Sequence, residues 1–266
     1  MVTLGPRERE RLVALGWGTL AVVVATILVG VVFAWSQFLG LVTDLGTAPL
    51  ALPSVVQFTL LIVVAELLGY GVASLLIVVV SRRLDRPLVR VRVPTLFDLA
   101  LVAGGSVLSI AILYTFSFLM LWLGIDASSH QIAEMGQRSP YIFLVGAVLS
   151  IPVIGLAEEL FFRGVVQDLL GEATPTSVAV VVASVLFAVP HLFSYLPQGG
   201  ALTVADYQAA AVSLVMLFVI GLVLGAIYEI SDNVVVPTVV HGVFNGYQFL
   251  LVFVVTIAGL DQLALL

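Results

Sequence analysis

The sequence contains no cysteine and no lysine, and only 10% of its 266 residues are charged. The absence of cysteine excludes disulfides, thiolate metal ligands and a cysteine nucleophile. The scarcity of charge excludes an ordinary soluble domain, in which about a quarter of the residues are charged. A hydrophobic share of 61% and a mean hydropathy of +1.22 indicate a polytopic membrane protein instead.

Several apolar segments reach the roughly 20 residues that a helix needs to cross about 30 Å of hydrocarbon. We predict an all-α polytopic membrane helix bundle of about seven transmembrane helices, or eight if the last segment is broken. Residues 1–140 would form an N-terminal transmembrane region of about three spans, and residues 141–266 the core that holds the charged motif. The predicted spans are 12–35, 53–80, 96–123, a fourth that begins near 141, 177–192, 207–228 and 234–259.

Eight of the ten arginines lie in two short segments, which are the first eleven residues and the loop after the second span. Because short cytoplasmic loops are rich in basic residues, both segments are predicted to be cytoplasmic, in a multi-pass protein of the cell membrane. The first segment is interpreted as a retained tail, not a cleaved signal peptide. The second is interpreted as a topology signal that also attracts anionic lipid headgroups, and it contains Arg82, Arg83, Arg86, Arg90 and Arg92.

Three ionisable residues, Glu158, Glu159 and Arg163, lie inside the fourth apolar segment. A charged side chain near the bilayer centre costs about 2.5 to 3.5 kcal/mol on insertion scales, so the group indicates a functional site. On a helix, Glu159 and Arg163 share a face and can form an ion pair. Glu158 is turned by about 100° from that face and is available for another role.

Further polar residues occur on later spans: His191, four residues after Phe187, and His241, four residues before Asn245. Each alone is typical of helix packing. Together with a glutamate they supply what amide hydrolysis requires, namely water activation and oxyanion stabilisation. We therefore predict that Glu158, His191, His241 and Asn245 converge on one water-accessible cavity while Glu159 turns away to Arg163. Glu158 and His191 can meet only if they lie at a similar depth in the membrane. Residues 141–148 would therefore lie near the outer interface, and 149–170 would form the embedded helix.

In this order, Glu158-Glu159-xxx-Arg163, Phe187-xxx-His191 and His241-xxx-Asn245 resemble the motifs of the CPBP family of intramembrane proteases. That family includes the CAAX prenyl endopeptidases and the Abi and bacteriocin-processing proteins. The resemblance covers residues 149–247 and implies a helical bundle with a membrane-embedded active site that opens to the cytoplasm. It also implies that Glu158 is the general base with His191 as its partner, that His241 and Asn245 support the oxyanion, and that Glu159 and Arg163 orient the helix.

The resemblance leaves the cofactor open. Glu158, His191 and His241 could supply three ligands for Zn²⁺ in a metalloprotease, with a fourth position for water. A metal-free glutamate mechanism uses the same residues and is slightly favoured, because no HExxH helix is present. The partners implied are the lipid bilayer and a membrane protein or lipidated peptide substrate, with no nucleic acid and no assignment of oligomeric state. Glu66 falls outside the motifs and is interpreted as a structural hydrogen-bonding residue in preference to one on a water path.

Two other classes of function fit parts of the pattern. A proton-coupled transporter would also place Glu, His and Arg in the membrane, but carriers usually show repeated halves, and here the ionisable residues are concentrated in the second half. A non-catalytic scaffold or immunity protein could retain the motifs and bind partners. Convergence of the motif residues on one pocket would favour the hydrolase over both.

Overall fold

The structure is a computed structural model that describes residues 5, 8, 9, 16, 54–83, 88–125, 139–196 and 202–260. Within these ranges the only regular secondary structure is helical. Five helices are long and apolar enough to cross a membrane, namely Phe58–Val79, Leu96–Leu123, Tyr141–Glu172, Val204–Ser231 and Val235–Ile257. The all-α membrane class is therefore confirmed, whereas the first predicted span, 12–35, lies almost entirely outside the described residues.

The helices follow one another with short connections. Their bounds are α1 Ser54–Glu66, a π-helical segment Leu67–Gly71, α2 Val72–Arg83, α3 Leu96–Leu123, α4 Tyr141–Leu149, a π segment Ser150–Gly155, α5 Leu156–Phe161, a π segment Phe162–Gln167, α6 Asp168–Ala173, α7 Thr176–Ala188, a 3₁₀ turn Val189–His191, α8 Leu192–Tyr195, α9 Val204–Ser231 and α10 Val235–Ile257.

The predicted count of seven spans is not reproduced within the described residues. The fifth predicted span, 177–192, is a helix from Thr176 to His191, which is too short to count as a full span by length. The last predicted span is one unbroken helix, α10, so the break that would have made an eighth span does not occur there.

The fourth predicted span begins at Tyr141, as expected, and the run from α4 to α6, here called the motif helix, is continuous. That 141–148 lies near the outer interface stays a prediction. Two π segments interrupt the α-helical geometry of the motif helix, before and after the glutamate pair. Pro152 lies in the first of them. Because proline lacks an N–H and its ring clashes with the preceding turn, a locally widened turn accommodates it.

Two long helices begin with the same capping motif. Thr95 caps α3 and exchanges hydrogen bonds with Asp98, and Thr203 caps α9 in the same way with Asp206. Each pair satisfies backbone N–H groups that a helix start leaves free. These capping boxes explain why both helices begin where they do.

An apolar core surrounds the middle of the motif helix. The rings of Phe161 and Phe162 lie on one side against Tyr70, and Phe162 also packs on Phe187 of α7. A second core joins α9 to α10 and includes Leu224, Val240 and Phe244. The charged residues of the motif helix therefore lie in a well-packed region of the bundle.

The segment 88–93, here called the strap, runs across one end of the bundle. Its backbone is paired with three elements: Val89 N donates to Gly164 O at 3.1 Å, Arg90 N donates to the Tyr228 hydroxyl at 3.1 Å, and Val234 N donates to Arg90 O at 2.8 Å. Through these bonds the strap ties the ends of the motif helix and α9 to the beginning of α10.

Two of the clustered arginines lie in the strap and bind acidic groups of the protein. Arg90 contacts Asp168 and Glu229, each at 2.8 Å, and Arg92 binds Asp98 at 2.7 Å. Burial lowers the pKa of Arg90, but its hydrogen bond to Glu229 and the charge of Asp168 outweigh this and raise the pKa above its usual value. Two of the five arginines therefore have acidic partners within the protein, and the attraction of the cluster to lipid headgroups stays a prediction.

The orientation of the chain stays a prediction, and the absence of cysteine makes it easy to test. A single cysteine at Arg86 should react with a membrane-impermeant maleimide only after the cells are opened, because the arginine-rich loop is predicted to be cytoplasmic. The matched control is Ser129→Cys, which lies between the third and fourth predicted spans and is therefore predicted to be outside. It should react in intact cells. Labelling of Arg86→Cys from outside would reverse the assigned topology.

Candidate active site

The motif helix places its charged residues in the interior of the bundle. Glu158 is 5% exposed, and Glu159 and Arg163 are fully buried. The predicted ion pair is present, with Arg163 Nη1 3.1 Å from Glu159 Oε1. The same guanidinium donates to Gly221 O at 3.1 Å and lies 4.6 Å from the centre of the Phe187 ring. Arg163 thus joins the motif helix to α7 and α9.

His241 of α10 lies between the two glutamates. Its Nδ1 donates to Glu159 Oε1 at 2.8 Å, and its Nε2 is 3.8 Å from Glu158 Oε2. The expectation that Glu159 turns away from the other motif residues is therefore wrong. Its Oε1 accepts from Arg163 and His241 together, so this carboxylate both neutralises the guanidinium and fixes the orientation of the imidazole.

His191 approaches the cluster from the far end of α7. Its Nδ1 donates to Phe187 O at 2.9 Å, which leaves Nε2 for another group. The Phe187 ring contacts both imidazoles, at centroid distances of 5.1 Å from His191 and 5.6 Å from His241. The two histidines therefore flank one aromatic ring.

Asn245 lies one turn beyond His241 on α10 and is half-buried. Its side chain makes no hydrogen bond within the described ranges, so its amide is available to a ligand. The spacing of four residues places both side chains on the same face of the helix. The role of Asn245 in oxyanion binding stays a prediction.

Close contact between the motif helix and α10 explains how Glu158 and His241 meet. At Gly155 an added Cβ would lie 2.8 Å from Thr238 O and 3.2 Å from Gly242 N. Small residues at such crossings allow membrane helices to pack backbone to backbone. Gly155 precedes Glu158 by one turn, and Gly242 adjoins His241, so the crossing point brings the carboxylate to the imidazole.

A second glycine contact, which was not predicted from the sequence, holds the motif helix in place. Arg163 and Gln167, one turn apart, donate to the carbonyl oxygens of Gly221 and Gly225, also one turn apart on α9. Gln167 is 1% exposed and also donates to Glu229 at 2.7 Å. The Gly221-xxx-Gly225 spacing is a known signal for close helix contact and could have identified this interface.

The ligand set implied for zinc does not fit this arrangement. Within the described ranges no three His, Asp or Glu side chains are grouped so that they could hold a metal ion. Glu158 and His241 are close together, and His191 contacts the same Phe187 ring as His241. A catalytic zinc needs three protein ligands around one point. The roles proposed for these residues therefore involve no metal ion.

Several charged atoms of the cluster are buried without a hydrogen bond, namely Glu158 Oε2, Glu159 Oε2 and Arg163 Nε. Buried polar atoms normally have partners, and leaving one without a partner costs free energy. The charged groups of the cluster therefore keep hydrogen-bonding capacity that no described residue uses.

The fold and the cluster define a class: a polytopic helical membrane protein with a buried site built from glutamate, histidine and arginine. Residues 140–247 match the family model of the Rce1-like type II CAAX prenyl endopeptidases. The match covers 108 of the 266 residues and contains every predicted site residue from Glu158 to Asn245. It confirms the resemblance to the CAAX prenyl endopeptidases over this segment. No curated protein and no solved structure shows significant similarity to the chain.

Proposed function

We propose that the chain is an intramembrane endopeptidase that hydrolyses a peptide bond in a membrane-associated substrate. The substrate class that the family match favours is a prenylated peptide of the CAAX type. The observation that supports the proposal best is the meeting of Glu158 and His241, 83 positions apart, at 3.8 Å inside the bundle. A scaffold would not require this pairing, and a proton relay would spread such groups along the membrane normal.

In the proposed reaction Glu158 removes a proton from a water molecule, and the water oxygen forms a bond to the peptide carbonyl carbon. The carbonyl oxygen takes up the negative charge of the tetrahedral intermediate. Glu158 then gives the proton to the leaving nitrogen as the C–N bond breaks, which yields a carboxylic acid and an amine, and the acid then loses its proton to solvent. A positioned carboxylate that transfers protons in this way typically contributes about 10²- to 10⁴-fold to the rate.

The remaining residues have supporting roles in this proposal. His241, held through Nδ1 by Glu159, presents Nε2 beside Glu158 and, once protonated, donates to the oxyanion. Asn245 adds an amide donor from the same face of α10. His191 uses its free Nε2 to hold the water together with Glu158. Donors that are fixed in advance stabilise developing charge without reorganisation.

The proposal can be tested with Glu158→Gln, which keeps the shape of the side chain and removes the base. We expect this variant to fold and to lose about 10²- to 10⁴-fold in cleavage of a fluorogenic peptide with a farnesylated C-terminal CAAX sequence. In parallel, membrane proteomics of cells with wild type or Glu158→Gln should reveal a cleaved product that only the wild type forms.

The matched control is Glu172→Gln, the same substitution on the same helix at an exposed position. It should cleave like the wild type. If Glu158→Gln forms the same products at the same rate, Glu158 is not the base. If the wild type forms no product in either assay, the hydrolase proposal is wrong and a non-catalytic role takes its place.

A further inference from the structure

Glu66 ends α1, in the half of the chain that the family match does not cover. Its Oε2 is fully enclosed and has no hydrogen-bond partner within the described residues. The interpretation of Glu66 as a structural hydrogen-bonding residue therefore does not hold for this oxygen. A buried carboxyl oxygen without a partner is costly, so its retention requires another explanation.

The contacts around Glu66 place it beside the candidate active site. The π segment Leu67–Gly71 follows Glu66 directly, and Tyr70 in it packs on Phe161 and Phe162, with both centroid distances 5.3 Å. Tyr70 and Ala157 belong to the same buried cluster. The turn that follows Glu66 therefore packs, through Tyr70, on the part of the motif helix that carries Glu158.

Each of the two carboxyl groups has an oxygen atom that lacks a hydrogen-bond partner. Glu158 Oε2, like Glu66 Oε2, is buried without a hydrogen bond. Of the ionisable groups around the pair, Tyr70 interacts with both carboxyl groups, and His241 and Arg163 interact with Glu158. Arg163 is already bonded to Glu159 and Gly221, so it provides no partner for Glu66. A water molecule shared by the two acids would satisfy both oxygens.

We infer that Glu66 is a positioning residue of the proposed hydrolase, whose carboxyl holds the attacking water together with Glu158. This inference rests on the proposed function and extends the site to the N-terminal half of the chain. Glu158 removes the proton, and Glu66 fixes the water oxygen in line with the peptide carbonyl. A misplacement of about 1 Å in such a geometry can cost about 10²-fold in rate.

A structural role and a positioning role make opposite predictions for Glu66→Leu. Replacing a buried polar group that has no partner by an apolar side chain is neutral or stabilising. Purified Glu66→Leu should therefore have a Tm equal to or above that of the wild type. Its kcat on the farnesylated CAAX peptide should nevertheless fall about 10- to 100-fold with KM unchanged, because the water is no longer held.

Glu66→Gln is the conservative variant, since its amide can still hydrogen bond to water, and it should retain more of the wild-type kcat than Glu66→Leu. Ser74→Ala is the matched control on the following helix: Ser74 is fully buried, and its hydroxyl bonds only the Tyr70 carbonyl, at 2.7 Å. This variant should keep the wild-type kcat.

The outcomes separate the inference from the proposed function. Wild-type kcat in Glu66→Leu, with Glu158→Gln inactive, would overturn the role of Glu66 alone. Parallel loss of Tm and activity in Glu66→Leu and Glu66→Gln would show that Glu66 is structural and would also overturn it. Full activity of Glu158→Gln, or no cleavage by the wild type, would overturn the proposed function and the inference together.

Discussion

Arg163→Ala is expected to remove most of the protein from the membrane fraction before any effect on chemistry can be measured. Breaking a buried ion pair by removing one partner destabilises a protein by about 3 to 5 kcal/mol, because the other charge stays buried. Glu159 would be the stranded charge, and its fully buried position offers no solvent to screen it. The contacts of the guanidinium with Gly221 O and the Phe187 ring would be lost as well.

The measurement is the abundance and thermal stability of the variant in detergent, with Arg9→Ala, at an exposed position, as the control. Adding Glu159→Gln to Arg163→Ala should restore part of the abundance, because no charge is then stranded. Activity should not return, since His241 would lose the carboxylate that orients it. Normal accumulation of Arg163→Ala would show that the pair does not hold the bundle together.

Gly155→Ala is expected to act on the contact between the motif helix and α10. An added methyl group would lie 2.8 Å from Thr238 O, and that oxygen belongs to the backbone, so the helices must move apart. Overpacking of this kind typically costs about 1 to 3 kcal/mol. Because Glu158 and His241 meet beside the crossing point, we also expect a loss of about 10²-fold in activity.

Gly171→Ala is the control on the same helix, because a Cβ at Gly171 would meet nothing within 4 Å. There alanine should stabilise the helix by about 0.5 to 1 kcal/mol, since glycine loses more conformational freedom on folding. The two Gly→Ala substitutions should therefore change Tm in opposite directions. The same sign for both would mean that the crossing at Gly155 is not close in the membrane.

The features that depend on local sequence could be predicted. Hydropathy located the helix from Leu96 to Leu123 at its observed bounds, and it located the other helices of the described residues to within several residues. The spacing of four residues identified the pair of Glu159 and Arg163, because both belong to one helix. The order of the three motifs identified the segment that the family model matches.

The features that depend on contacts between distant segments could not be predicted. The bond from His241 to Glu159 requires the crossing at Gly155, and nothing in the motif spacing specifies which glutamate faces α10. Arg90 has the sequence signature of a topology signal, yet its partners Asp168 and Glu229 are more than 70 residues away. Glu66 lies in a part of the chain without a recognisable motif, so only packing places it near Glu158.

The two π segments that flank the glutamate pair make the motif helix sensitive to its residue count. A π turn holds one more residue than an α turn, and one residue corresponds to about 100° of rotation in an α-helix. The segment Ser150–Gly155 can absorb the loss of one residue by closing into regular α geometry, whereas deleting one residue from α5 would rotate everything before it relative to the rest of the motif helix. The crossing at Gly155 and the packing of α4 on α10 would then no longer be in phase. An alignment or a redesign of this chain should therefore keep the number of residues between the motifs, in addition to the residues of the motifs themselves.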